Sequence, residues 1–171
     1  DCVVHRHECF FLPETSAEFH FEDYDYVIDA VDTVTAKIQL VMACQETGTP
    51  IISSMGAGNK LDPTKFQVAD IYQTSIDPLA RVMRRELKKR QVKHLKVVYS
   101  TEEALTPLTA EEDNVSAGEI SPDVEHISGR RSTPGSVAFV PSVAGLIIGG
   151  EVIKDLTKDA MRRARAGSLN I

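Results

Sequence analysis

The stretch from Tyr26 to Leu40, YVIDAVDTVTAKIQL, constrains the fold more than any other part of the chain. An apolar run, Tyr26-Val27-Ile28, meets two acidic residues, Asp29 and Asp32, and a helical repeat begins at Thr33 or Val34. A strand that passes directly into a helix is the unit of parallel sheets, because parallel neighbours need a crossover connection. In open sheets of that kind, ligands bind at the carboxyl ends of the strands, beside helix N-termini whose free amides favour anions. Asp32 stands at that edge. A carboxylate there can hold a Mg²⁺ that in turn holds phosphate oxygens, or it can cap the helix, and the residues alone leave both readings open.

The rest of the chain supplies more units of the same kind. Tyr24 to Ala30 reads as the central strand, its apolar run suited to burial on both faces of a parallel sheet. The helix after it carries Val34, Ile38, Val41, Met42 and Gln45 on one face and ends at Gly48 as a C-cap; Cys44 inside it reads as packing rather than as a nucleophile. Thr49 to Ser54 is the next strand, followed by the glycine-rich MGAGNKLDP from Met55 to Pro63. With neither GxGxxG nor a Walker pattern, a phosphate cradle and a tight bend beside a ligand or another backbone are equal readings of that loop. Phe66 to Gln73 alternates like a strand. Asp77-Pro78 opens a helix in which Leu79, Val82, Met83 and Leu87 form an apolar stripe while Arg81, Arg84, Arg85, Lys88 and Lys89 point elsewhere.

Leu95 to Ser100 and Ser136 to Pro141 are further strands, and Ser142 caps a final helix through Leu156. The first half of that helix is apolar almost all round, a pattern of burial, in part by a second subunit. Gly149-Gly150 inside it implies the close approach of another element. At the start of the chain, Cys2 to Leu12 alternates like a strand and Glu14 to Phe19 forms a short helix. His5 and His7 would share one side of that strand with Cys9, which permits a metal site, but no second cluster completes one and structural or surface histidines are the simpler reading.

Charge narrows the function. Against 19 Lys and Arg stand 25 Asp and Glu, a formal charge of −6, which argues against a wholly basic nucleic-acid-binding domain. Yet Arg81 to Lys96 holds eight basic residues against Glu86 alone, and Glu102 to Glu125 holds eight acidic residues and no Lys or Arg. The basic helix face is either solvated or a surface for RNA phosphates. Residues 106–133 read as a long, mobile, acidic loop. Three widely spaced cysteines without a CxxC pair indicate a reducing compartment; with no apolar run of membrane-spanning length and no secretory signal, the expected location is cytoplasmic. The chain opens at Asp1 in strand-like sequence, as expected of a fragment.

Four segments together resemble a known family: IDAVDTVTAK (Ile28 to Lys37), GAGNKLDPTKFQVADIYQTSIDPLARVMRRELKK (Gly56 to Lys89), VVYSTEEAL (Val97 to Leu105) and GSVAFVPSVAGLIIGGEVI (Gly135 to Ile153). They look like the later two-thirds of a tRNA threonylcarbamoyladenosine dehydratase, in the HesA/MoeB/ThiF group of ubiquitin-activating-type adenylating enzymes. DPTKFQVADIYQTSIDPLAR is the most specific part. The resemblance implies an α/β, Rossmann-like adenylating fold without its N-terminal nucleotide-loop portion, with parallel strands followed by antiparallel ones, residues 1–171 forming the C-terminal part of one domain. It implies ATP and Mg²⁺ as cofactors, with Asp32 serving the Mg²⁺·ATP in catalysis, and it raises the expectation that Arg81, Arg84, Arg85, Lys88 and Lys89 face tRNA. A homodimer through the later strands and final helix is implied too, and sulfur-transfer proteins are candidate partners. The family's nucleotide loop, ribose-holding acid and ATP-reaching arginine precede the matching region, so the chain alone is expected to bind ATP poorly. Two rival functions are activation of a ubiquitin-like sulfur-carrier protein, against which the missing zinc-binding CxxC pairs count, and a non-catalytic nucleotide- or RNA-binding module.

Overall fold

The structure, a computed structural model, describes residues 2–106 and 134–158. Its elements are β1 (Val27–Asp29), α1 (Val34–Thr47), β2 (Ile51–Ser54), β3 (Phe66–Asp70), α2 (Pro78–Lys89), β4 (Lys96–Ser100) and α3 (Phe139–Leu156). The four strands form one mixed sheet in the order β1-β2-β4-β3, parallel from β1 to β4 and antiparallel between β4 and β3. The α/β architecture expected from the strand–helix units is therefore present.

Alternation along the strands sorts side chains to the two faces of the sheet. Val97 and Tyr99 join Val41 of α1 and Met83 and Leu87 of α2 in one core, while Ile52 and Val98 pack under Val140, Ala144 and Ile148 of α3. A third cluster places Phe21 against Val27, Leu40 and Cys44, with Phe11 and Phe19 over it. Helix α1 thus serves two cores at once, burying Leu40 and Cys44 beyond the single face that its sequence pattern indicated. Gly48 ends it in the left-handed region at φ 75°, which an L side chain resists. The far end of α3 is tied to the sheet by polar contacts: Lys96 bonds Glu151 at 2.6 Å and Asp155 at 3.0 Å, and the Tyr26 hydroxyl donates to Asp155 at 2.8 Å.

Several expectations are corrected. Among the described residues β1 has one neighbour, β2, and stands at the end of the sheet rather than at its centre, and Ile28 is 49% exposed, α3 lying over β2 and β4. Cys2 to Leu12 forms no strand; Val3, Val4 and Phe10 are exposed, since alternation makes a strand only where a ladder partner exists, and none of the described residues pairs with it. His5, His7 and Cys9 consequently share no strand face, His7 packs on Phe19, and no group of three candidate ligand side chains occurs among the described residues. Within Glu14 to Phe19 only the 3₁₀ turn Ser16–Glu18 forms, followed by a second at Phe21–Asp23.

Phe66 to Gln73 divides: the strand stops at Asp70, whose carboxylate accepts the Tyr72 amide at 2.9 Å and starts the 3₁₀ turn Ile71–Gln73. Ser136 to Pro141 is not a strand. The helix begins at Phe139, and Pro141 is accommodated in its first turn, where an amide hydrogen has no helical partner to lose. Ser142 accordingly lies inside the helix and donates to the Ala138 carbonyl at 2.6 Å rather than capping it. A Cβ on Gly149 or Gly150 would meet nothing within 4 Å among the described residues, so no close approach accounts for them here. The acidic-loop reading falls, from 107 to 133, outside the described residues. No helix among the described residues is long and apolar enough to cross a membrane.

Candidate functional site

The carboxyl ends of β1 and β2 open into a cavity of about 530 Å³. Asp32, Lys37, Ser54, the glycine-rich loop and Asp77 line its polar side, and Ala144 and Ile148 of α3 its apolar side. Chain order dictates the meeting: each parallel strand delivers its following loop to the same sheet edge.

Asp32 lies exposed at the rim. Among the described residues its carboxylate accepts one bond, from the Thr33 hydroxyl at 3.3 Å, whereas the N-cap residue of α1 is Thr33, which caps with no side-chain bond. Asp32 therefore does not cap the helix, and it lines the cavity with no other hydrogen bond among the described residues. Asp29 differs entirely. It is fully buried, accepts Lys37 Nζ at 3.1 and 3.2 Å, the Ser53 hydroxyl, and the Val31 amide at 3.2 Å. More than backbone is satisfied there: the carboxylate neutralises a lysine that is itself 1% exposed. Burial pushes the Lys37 pKa down, against the pull of Asp29. Lys37 Nζ also donates to the Ser54 carbonyl at 2.7 Å, tying α1 to the end of β2.

A second buried pair mirrors the first. Lys60 Nζ meets Asp77 at 3.0 Å and the Gly56 carbonyl at 2.7 Å. Asp77 accepts the Ala80 amide at 2.8 Å as the N-cap of α2, with Pro78 in the first turn. The loop is further clamped by Glu102, which accepts the amides of Leu61 and Asp62, both at 2.9 Å, and by Asn59, held at φ 57°, whose backbone and side chain bond both polar groups of Gly135. Neither Gly56 nor Gly58 has a positive φ. Their role is close approach: a Cβ at Gly58 would come within 2.6 Å of Pro134 and one at Gly56 within 3.3 Å of Asp77.

Lys37, Lys60 and Asp77 were not singled out as site residues from the sequence. Lys37 did carry a signal, because a cation in the first turn of a helix opposes the macrodipole and invites a buried partner.

The basic face of α2 lies away from this cavity and is less uniform than its sequence. Arg84 is half-buried and donates to the Thr74 carbonyl at 2.7 Å and to the Thr74 hydroxyl, so it closes a turn. Arg85, Lys89 and Arg90 gather around Glu86, whose carboxyl Lys89 and Arg90 hold down at about 2. Arg81 and Lys88 are exposed, with no ion pair among the described residues. Cys44 is buried, and desolvation pushes its thiol up to about 11, so it is packing, as its place in the helix indicated.

Known proteins resemble this chain over most of its length. The ThiF family model matches residues 2–171. A tRNA threonylcarbamoyladenosine dehydratase of Bacillus subtilis is 45% identical over 160 residues, 93% of this chain and 61% of the relative. The protein of the same name from Escherichia coli is 39% identical over 88 residues, 52% of this chain and 33% of the relative. Among solved structures, that of the E. coli tRNA N6-threonylcarbamoyladenosine dehydratase TcdA in complex with AMP superposes with a TM-score of 0.71 at 28% identity, over 91% of this chain and 57% of that one. The same enzyme in complex with ATP gives 0.70 at 27% identity, with the same coverage. The chain thus spans about three-fifths of the length of the B. subtilis relative.

Proposed function

Because the chain belongs to the ThiF family, we propose that its cavity is part of the active site of an ATP-dependent tRNA threonylcarbamoyladenosine dehydratase. In that reaction the threonyl carboxylate of the modified adenosine attacks the α-phosphate of ATP and expels pyrophosphate. An internal nitrogen or oxygen then attacks the activated carbonyl, closes a ring and releases AMP, so the nucleoside loses one water. Adenylation is needed because a carboxylate oxygen is a poor leaving group, and water must be kept from the acyl-adenylate.

The observation that carries this reading is the placement of Asp32, an exposed and nearly unbonded carboxylate at the parallel-strand edge, in the wall of a cavity next to the glycine-rich loop. A lone carboxylate that shares its ion with phosphate oxygens is how Mg²⁺ is commonly held, and Asp32 fits that description while Asp29, spent on Lys37 and Ser53, does not. Asp32 would hold the ion there, and Mg²⁺ so held would supply neutralisation of phosphate charge. The protein's own groups position Asp32 through the Asp29–Lys37 pair and shield the site with α3. Residues 1–171 are then the C-terminal part of one adenylating domain in a cytoplasmic enzyme. The exposed Phe139, Leu146, Ile153 and Leu156 give α3 an apolar face suited to a homodimer, and Arg81 and Lys88 head the surface offered to tRNA. The relatives' names favour this over activation of a sulfur-carrier protein.

The test is Asp32→Asn in the full-length protein, assayed for pyrophosphate release with tRNA and ATP. We expect activity to disappear with the unfolding midpoint unchanged; retained activity would remove Asp32 from the site.

A further inference from the structure

Along the turn that leaves β2, hydrogen bonds divide into two sets. Three consecutive carbonyls are satisfied from within the protein: that of Ser54 by Lys37 Nζ at 2.7 Å, that of Met55 by the Ser54 hydroxyl at 3.4 Å, and that of Gly56 by Lys60 Nζ at 2.7 Å. The amides behave oppositely. Met55 donates to the Val98 carbonyl and Asn59 to the Gly135 carbonyl, both at 2.8 Å. Between them the amides of Gly56, Ala57 and Gly58 donate to no acceptor among the described residues.

All three of these residues line the 530 Å³ cavity. Backbone donors require an acceptor, from solvent or from a ligand, and successive amides in a turn form a concave site for anions. The charges around them sharpen the point. Both cavity lysines are already paired, with Asp29 and Asp77, so neither offers a free positive charge. Pro78 and Leu79 also line the cavity, bringing the positive end of the 12-residue helix α2 to the same wall. Glycine at 56 and 58 lets Asp77 and Pro134 press close behind the turn.

We propose that the Gly56–Gly58 turn is an oxyanion-binding site, made for a carboxylate or phosphoryl oxygen, and that Lys37 and Lys60 serve it as positioning residues by holding the Ser54 and Gly56 carbonyls inward. The site itself stands on the hydrogen bonding of the turn. That its natural occupant is the carboxylate to be activated rests on the adenylation reading.

The test is titration of the ¹⁵N-labelled full chain with acetate in one arm and inorganic pyrophosphate in the other, at constant ionic strength. Saturable shifts are expected at the amides of Gly56, Ala57 and Gly58, larger than elsewhere, with slowed hydrogen exchange of the same amides at saturation. Ala57→Pro deletes the central donor and should weaken binding about tenfold or more, the worth of one hydrogen bond to a charged group. Hydrogen exchange on the unaltered chain keeps the test decisive should that variant misfold. Silent amides in both arms, or shifts confined to the basic face of α2, would overturn the proposal. Binding in the acetate arm points to a carboxylate occupant and binding in the pyrophosphate arm to a phosphoryl group. Anion binding here in a protein without dehydratase activity would leave the cradle standing and refute the adenylation reading; activity with silent amides would do the reverse.

Discussion

Lys37→Met should be among the most damaging single substitutions in the chain, although its ammonium is spent on Asp29 and the Ser54 carbonyl. The side chain is 1% exposed and its ammonium sits 3.1 Å from Asp29, which is fully buried. Removing the cation leaves a carboxylate in the interior with only the Ser53 hydroxyl and the Val31 amide for compensation. Breaking one half of a buried pair in this way costs about 3–5 kcal/mol, a large share of the roughly 5–15 kcal/mol that holds a domain together. The Ser54 carbonyl loses its donor as well. Replacing both partners, Asp29→Asn with Lys37→Met, removes the stranded charge, and such double replacements are often close to neutral. Urea unfolding followed by far-ultraviolet circular dichroism on the wild type, both single variants and the double variant gives the cycle. A coupling of at least about 1.5 kcal/mol is expected, well beyond the few tenths seen for independent sites. A single variant within about 1 kcal/mol of wild type, or strict additivity in the cycle, would refute the claim that this pair anchors the site.

Two further outcomes are expected. Glu151 is held below its ordinary carboxylate value by Lys154 and Lys96, and Asp155 by Tyr26 and Lys96; lowered folded values mean that the stability they add is present above about pH 4.5 and is lost as pH falls through those lowered values. Hydrogen exchange in Phe139–Leu156, corrected for intrinsic rates, should therefore accelerate in acid before exchange in α2 does, and simultaneous loss of both would count against this latch. On the other surface, Arg81→Glu with Lys88→Glu should weaken tRNA binding and flatten its salt dependence, whereas an Arg84 substitution should act chiefly on stability by freeing Thr74; tRNA affinity unmoved by the double reversal would remove α2 from the interface.

How far the sequence led depends on where each signal resides. The strand–helix handover at Ile28 to Val34, the Asp77-Pro78 helix start and the Gly48 cap are local events, written in residues a few positions apart, and all three appear in the structure. Ser136 to Pro141 misled because a short run of β-branched and aromatic residues has no period of its own, and proline, which argues against a helix interior, is welcome in a first turn. Cys2 to Leu12 misled for a different reason: alternation describes a strand's faces but says nothing about whether a neighbour exists to complete the ladder. The place of β1 at the end of the described sheet was equally hidden, since an apolar run does not say what covers it.

The site divides along the same line. The place of Asp32 at the cavity rim was legible because it follows from local order, a carboxylate just past a strand and before a helix. Its support was not. Asp29 meets Ser53 and Lys60 meets Asp77 across separations that only the folded sheet brings together, and the place of Lys37 in the first turn of α1 does not name its partner. Arg84 shows the reverse error, a residue counted with the charged surface whose guanidinium is spent on a turn carbonyl.

Mass spectrometry of nucleosides from tRNA of cells with and without the protein checks the proposal that this chain belongs to an enzyme that removes water from threonylcarbamoyladenosine in tRNA. The expected result is a modified adenosine heavier by one water in the cells that lack it, restored to the lighter form by the wild-type protein and not by Asp32→Asn. Identical nucleoside masses in the two kinds of cell would contradict the account.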